Sequence, residues 1–285
     1  LTLEEEREVT RVLRDLSMLV GELADDIRRG NELAARLDFV MARARYSLAI
    51  SGISALLVGE LRSSPNPRPQ TLCPSEVSVR LLNARHPLLG SAAVPITVSL
   101  GPGWSVLVVT GPNTGGKTVA MKTVGLLALL HQSGLQIPAD EGSSLPVFES
   151  IYADVGDQQS IEQSVSTFGS HMRAVIDILA QAGPNSLVLL DELGTSTDPE
   201  EGSALAKAIL DHLASRNILT IVTTHHRTVA AHAEAAPAMM NASFQLDPST
   251  LKPTYQITMG VPGRSYAMAV ASRLGLPEEI MEKAQ

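Results

Sequence analysis

Gly111-Pro112-Asn113-Thr114-Gly115-Gly116-Lys117-Thr118 places glycines, one lysine and one hydroxyl in the spacing G-x-x-x-x-G-K-[ST]. The chemistry of that spacing is phosphate capture. Glycines let successive backbone N–H groups turn inward on a phosphate chain, and the helix start behind them adds its positive dipole end. Lys117 reaches the outer phosphates, and Thr118 offers a hydroxyl to Mg²⁺. Farther along, Asp191-Glu192 follows the apolar run Leu187-Val188-Leu189-Leu190. An acid at a strand tip suits Mg²⁺ held through water, and Glu192 is placed to orient or deprotonate an attacking water. The plainer reading is a strand-end pair that caps the next turn. His225 closes another apolar run, residues 219–224, where it would sense a γ-phosphate; that role rests on the order of the motifs. A Ser-rich helix start at residues 164–168, with Ser166 at its centre, precedes the acid pair. Its N-terminal N–H groups and the Ser166 hydroxyl would suit a phosphate supplied by a second subunit, and the plainer alternative is an ordinary capped helix.

These groups need elements to carry them. Residues 106–109, Val-Leu-Val-Val, read as a buried strand into the phosphate loop, and an apolar helical pattern leaves it up to residue 130. Residues 187–190 and 219–224 are continuous apolar runs of the kind buried on both faces of a parallel sheet. Helices are predicted from residue 164, with apolar positions at Met172, Val175, Ile176 and Leu179, and over 203–213. Strands alternating with helices, with functional groups at strand carboxyl ends, predict an α/β fold with a doubly wound, mostly parallel sheet. Further strands are predicted at 77–81, 94–100 and 151–155, and two around residues 247–249. Residues 136–139 read as an exposed turn or short strand. Before all of this, residues 3–61 carry apolar positions at helical spacing, with a joint expected at Gly30-Asn31. The Pro and Ser break at residues 63–69 is the expected domain boundary. A last helix is predicted over 266–274, stopped by Gly275.

Composition bounds the function. The chain has 285 residues, 44% hydrophobic and 3% aromatic, enough for a full core and a second small unit. No run approaches the roughly 18 apolar residues of a membrane span, so no membrane partner is expected. The single cysteine, Cys73, excludes a disulfide framework and a thiol zinc site and fits a reducing cytoplasm. Nothing resembles a signal peptide, and a start at Leu1 in place of Met is expected of a piece of a longer chain. A net charge of −8 argues against a dedicated nucleic-acid grip here. The arginines at 28, 29, 36, 43 and 45 are a candidate local patch for such a contact, and the favoured reading of them is a solvated helix face.

Four motifs in order, GPNTGGKT at 111–118, Ser166-Thr167-Phe168 with Met172, LVLLDELG at 187–194 and Thr223-Thr224-His225, resemble the MutS ATPase domain from about residue 85 onward. Within that family, residues 111–130, 156–172 and 190–202 are most similar to the second bacterial subfamily, MutS-two. Mismatch-repair MutS typically has Met at the position of Thr114 and Ser at that of Thr118. The resemblance implies an ABC-type P-loop ATPase acting as a homodimer on ATP and Mg²⁺. It implies an N-terminal helical lever/core segment (1–64), an ATPase domain (65–262) and a C-terminal helical dimerisation segment (263–285). By position, Gly111, Pro112, Asn113, Thr114, Gly115, Gly116, Lys117 and Thr118 would hold phosphates. Asn113, Lys117, Glu192 and His225 would serve catalysis, and Thr118 and Asp191 the metal. Ser166 would act in trans, and His86, in Arg85-His86-Pro87, would lie near the adenine. The loop 157–159 would couple nucleotide state to the rest of the molecule, and residues 195–198 would lie across the dimer interface. The family's work with branched DNA, suppression of homologous recombination and rescue of collided ribosomes is implied through parts outside this segment. Members usually end in a Smr nuclease domain, which residues 1–285 stop short of, so no nuclease activity is expected of them.

Two competing functions remain open on the sequence. One is a nucleotide-gated dimerisation or scaffold module with little turnover, disfavoured by the intact Lys117, Asp191 and Glu192. The other is a transporter subunit or a chromosome-structuring engine, which needs a helical insertion or a long coiled coil between loop and acid pair. The interval from Lys117 to Asp191 has room for neither.

Overall fold

The computed structural model describes residues 2–58, 77–112, 115–156, 164–195, 197–247, 249–250, 252–263, 273, 275 and 280, with only the backbone of 164–167. The chain divides into two compact units, residues 1–49 and 50–285.

The first unit consists of helices α1 (Thr2–Glu22) and α2 (Ala24–Ala49), neither of which buries a side chain. Their break is at Leu23, whose N–H reaches Val20 O at 3.2 Å while its own carbonyl accepts Ile27 N–H at 2.9 Å. The joint expected at Gly30-Asn31 is instead continuous helix. A lone glycine costs a helix about 1 kcal/mol, less than a break among the good helix formers around it. Helix was also expected as far as residue 61, but α2 ends at Ala49. Ser51 takes a left-handed φ of 51°, Ile53 bridges Ile137, and β1 (Leu56–Leu57) forms a parallel pair with β5 (Ser144–Leu145). The periodicity of residues 50–58 is overridden by a strand partner far along the chain. Residues 50–58 therefore belong with the second unit; the Pro and Ser break at 63–69, with Cys73 after it, lies outside the described residues.

The second unit is α/β with two sheets. The smaller has the order β1-β5-β2-β3, with β2 (Val79–Ala84) antiparallel to β3 (Ile96–Leu100). The larger contains β4 (Val106–Thr110), β6 (Ser150–Asp154), β7 (Ser186–Leu190), β8 (Leu219–Thr223), β9 (Met239–Leu246) and β10 (Pro253–Met259), in the order β10-β9-β4-β8-β7-β6. All its pairings are parallel except β9 with β10. In β4, β7 and β8 every residue is buried, as strands covered on both faces require.

Alternate residues of these strands feed two cores. Leu107, Val109, Leu187, Leu189 and Ile221 meet α3 (Lys117–Gln132), and the small sheet's Val79, Leu81, Val98 and Leu100 close the same cluster. Val106, Val108, Val188, Leu190 and Val222 meet α4 (Ser164–Gln181), α5 (Pro199–Ser215) and α6 (Arg227–Ala235). Helices thus pack against both faces of the large sheet. Because α3 lies between two sheets, it is apolar on most of its circumference. The stretch 136–139, expected to be exposed, instead carries Ile137 at 0% exposure within this core. The predicted helix over 266–274 lies almost wholly outside the described residues.

Candidate functional site at the strand carboxyl ends

Parallel pairing brings the carboxyl ends of β4, β8 and β7 to one edge, since Val109 is opposite Thr223 and Val222 opposite Leu190. From β4 the chain turns at Gly111, whose φ is 130° and where a Cβ would come within 2.5 Å of Phe244 O. Only glycine fits both restraints there. Gly115 N–H donates to Pro112 O at 2.9 Å, and Gly116, with φ of 95°, opens α3. Lys117 is buried, and its Nζ donates to Gly111 O at 2.7 Å across the loop. Burial lowers its pKa, while the charges of Glu192 and Asp191 raise it in part. The lysine is therefore a confined cation within electrostatic reach of both acids. Asn113 and Thr114 lie outside the described residues.

One residue after Lys117, the Thr118 hydroxyl donates to Asp191 Oδ2 at 2.8 Å, joining the loop to the tip of β7. Asp191 N–H donates to Asp154 O at 2.9 Å, at the end of β6. Glu192 is exposed and adopts a φ of 50°, a left-handed conformation costly for a side chain of its kind. Its N–H donates to Thr223 Oγ1 at 2.8 Å, and the same Thr223 hydroxyl donates to the other carboxylate oxygen of Asp191. Beyond it, Gly194 approaches α5 so closely that a Cβ on Gly202 would come within 2.1 Å of Gly194 O. Asp198, one of the residues expected at an interface, caps α5 by accepting from Glu200 N–H at 2.9 Å and Glu201 N–H at 3.2 Å.

His225 projects from the end of β8. Partial burial, then the neighbouring His226, lowers its pKa below the ordinary 6.5; Glu192 opposes the shift and Lys117 adds to it. His225, Glu192 and Lys117 therefore share one field. His226 is tied away, its Nε2 lying 3.1 Å from Gly194 O, and His225 remains exposed at the site edge. His86 stands apart in its described contacts. Its Nδ1 accepts from Leu88 N–H at 3.3 Å, and burial followed by the Lys122 charge on α3 lowers its pKa. The backbone of Ser166 lies in the first turn of α4, but its side chain and the loop 157–159 lie outside the described residues.

Several participants escaped the sequence reading. Tyr255 has a φ of 56° at a register shift between β9 and β10, and its ring lies 3.2 Å from where a Cβ on Gly116 would stand. Gly263 N–H donates to Thr110 Oγ1 at 2.7 Å, so the chain after β10 returns to the base of the loop. Asp154 Oδ2 lies 2.9 Å from His171 Nδ1, which connects β6 to α4. None of these carries a local motif; each depends on strand order.

The donors fit magnesium. A hydroxyl and a carboxylate are hard oxygen ligands, and Mg²⁺ is usually held by one or two such groups, with phosphates and waters completing its shell. Among the described residues no group of three or more His, Cys, Asp or Glu side chains forms a metal cage. No described helix is long and apolar enough to cross a membrane.

The family profile for MutS domain V matches residues 107–285. The chain is 48% identical to Endonuclease MutS2 of Pelotomaculum thermopropionicum over 281 residues, covering 99% of this chain and 34% of that protein. It is 49% identical to Endonuclease MutS2 of Thermomicrobium roseum over 282 residues, covering 99% of this chain and 35% of that protein. Endonuclease MutS2 of Halalkalibacterium halodurans is 48% identical over 283 residues, again 99% of this chain and 34% of its own length. The chain spans about a third of the length of these curated relatives. With a P-loop and an acid pair at one sheet edge, a profile covering more than half its length and near 50% identity throughout, the chain belongs to the MutS family, as an ATPase domain of its MutS2 branch.

Proposed function

We propose that two copies of this chain hydrolyse ATP at composite sites, in an ABC-type doubly wound fold, with the helices of residues 1–49 as the lever/core segment and residues 263–285 as a dimerisation segment. The observation that carries the reading is the 2.8 Å contact between Thr118 Oγ1 and Asp191 Oδ2, beside the confined Lys117. Phosphates lie in the cradle of residues 111–118, where Lys117 meets the outer oxygens. Thr118 and Asp191 would hold a magnesium ion, which would supply charge neutralisation on the phosphates. Glu192 accepts the proton of the attacking water, and His225, kept neutral by its surroundings, contacts the γ-phosphate. Ser166 of the second copy closes over the phosphates from the N-terminus of its α4.

Hydrolysis in this reading moves the 1–49 helices and, through the longer protein, serves branched DNA or a stalled ribosome in the cytoplasm. The endonuclease step in the relatives' names is assigned to none of these residues. The test is Glu192→Gln. It should retain ATP binding and lose roughly 10²- to 10⁴-fold in steady-state phosphate release, the range of a general base. Turnover equal to the parent would remove Glu192 from the mechanism. A parent that binds ATP and dimerises without releasing phosphate would support the scaffold reading instead.

A further inference from the structure

Thr223 is the last residue of β8 and has no exposed surface. Its hydroxyl makes two bonds at once, donating its one proton to Asp191 Oδ1 and accepting Glu192 N–H at 2.8 Å. Its backbone carbonyl is already used, accepting Leu193 N–H at 3.0 Å. A single threonine thus ties residues 191, 192 and 193 to the neighbouring strand. Glu192 lies two residues past the end of β7, so its N–H is beyond the strand ladder and needs an acceptor supplied from elsewhere, while its left-handed φ of 50° redirects the chain that follows. Occupying Oδ1 of Asp191 also leaves Oδ2 directed at Thr118.

We propose that Thr223 is a positioning residue for ATP hydrolysis, its hydroxyl setting together the rotation of the Asp191 carboxylate and the strained backbone that aims Glu192. The inference rests on the hydrolytic reading above. A valine here keeps the β-branched shape and strand propensity but can neither donate nor accept. Both acids would then keep their identity and lose their aim. Because the phosphates are gripped mainly by the loop and Lys117, turnover should suffer far more than nucleotide affinity.

The decisive comparison is Thr223→Val against Thr223→Ser in this chain, with Thr220→Val as control. Thr220 is an equally buried threonine of β8 whose hydroxyl, among the described residues, bonds Ile218 O at 3.0 Å and neither acid. Thr223→Val should lose roughly 10- to 100-fold in kcat, the range expected of a misaimed catalytic group, with KM and the Kd of a fluorescent ATP analogue changed by less than about threefold. Thr223→Ser should restore kcat to within about threefold of the parent, since the hydroxyl returns without the methyl. Thr220→Val should keep the parent kcat. Should Thr223→Val fail to fold by circular dichroism, Thr223→Ala takes its place in the comparison with Thr223→Ser.

Parent-like kcat in the hydroxyl-free variant overturns the proposal. So does a serine variant as impaired as valine, or a Thr220→Val loss of equal size, either of which would mark general damage to β8. A parent chain without turnover overturns the hydrolytic reading and this inference with it. An active parent, an inactive Glu192→Gln and a fully active Thr223→Val would overturn this inference alone.

Discussion

Helix α2 runs for 26 residues and buries none of its side chains, whereas α3 runs for 16 and buries eight, its lysine included. Both read from the sequence as helices with an apolar side. In α3 that side is used twice, against the large sheet and the small one, and Gly125 lies so near β7 that a Cβ would come within 2.6 Å of the Leu189 side chain. In α1 and α2, Leu13, Leu16, Leu19, Leu33, Leu37 and Val40 are all more than half exposed. Among the described residues the ion pairs of these helices are local ones, Arg11 with Glu8 and Asp15, and Arg28 with Asp25. Exposed pairs of this kind contribute at most about 1 kcal/mol each. An apolar stripe therefore states that a helix can pack, and the strand order around it decides whether it does.

The contrast can be broken by substitution. Leu127→Ala in α3, at 0% exposure, should destabilise the 50–285 unit by about 2–5 kcal/mol. Trp104, the only tryptophan, is half-buried in that unit, so its fluorescence in a urea titration reads the change directly. A loss under about 1 kcal/mol would mean the two-sided core around α3 is loosely packed. Acidification should give a smaller effect confined to the same unit. Burial lowers His86, His131 and His225 from the ordinary value of 6.5, and none of the seven histidines falls in residues 1–49. Between their lowered values and 6.5 the unfolded chain binds more protons than the folded one. Their stabilisation is thus complete above that value and fades as the pH falls below it. The Trp104 midpoint should drop between about pH 7.5 and pH 5.5, and His131→Gln should flatten the drop. An unchanged slope in that variant would remove His131 from the effect. Smallest of all, Leu16→Ala, at a residue 53% exposed, should shift the same midpoint by no more than about 0.5 kcal/mol. A shift as large as that of Leu127→Ala would show that the stripe on α1 is covered after all.

Much of the site was legible because its signals are local. A glycine loop between a buried strand and a helix places Lys117 and Thr118, and an apolar run ending in two acids places Asp191 and Glu192. Parallel strands then carry these groups to one edge. Thr223 stood in plain view as part of a motif, yet its second bond depends on where the turn after β7 carries the Glu192 N–H, which no pattern of residue types encodes. Tyr255 was invisible for a similar reason, since it reaches Gly116 only through a register shift in β10. Errors had the same origin. Residues 50–58 continue a helical rhythm but pair with 137 and 144–145, and Ile137 sits in a polar-looking turn while being fully buried by that pairing.

Residue order alone was enough for the phosphate loop, the acid pair, the α/β class and the family, because each is written in contiguous stretches whose chemistry depends on near neighbours. Which hydroxyl aims the acids, which helix is buried and which turn is core depended on contacts between residues far apart along the chain. Such contacts follow from strand order and register, and these are settled only when the two cores close around β4, β7 and β8.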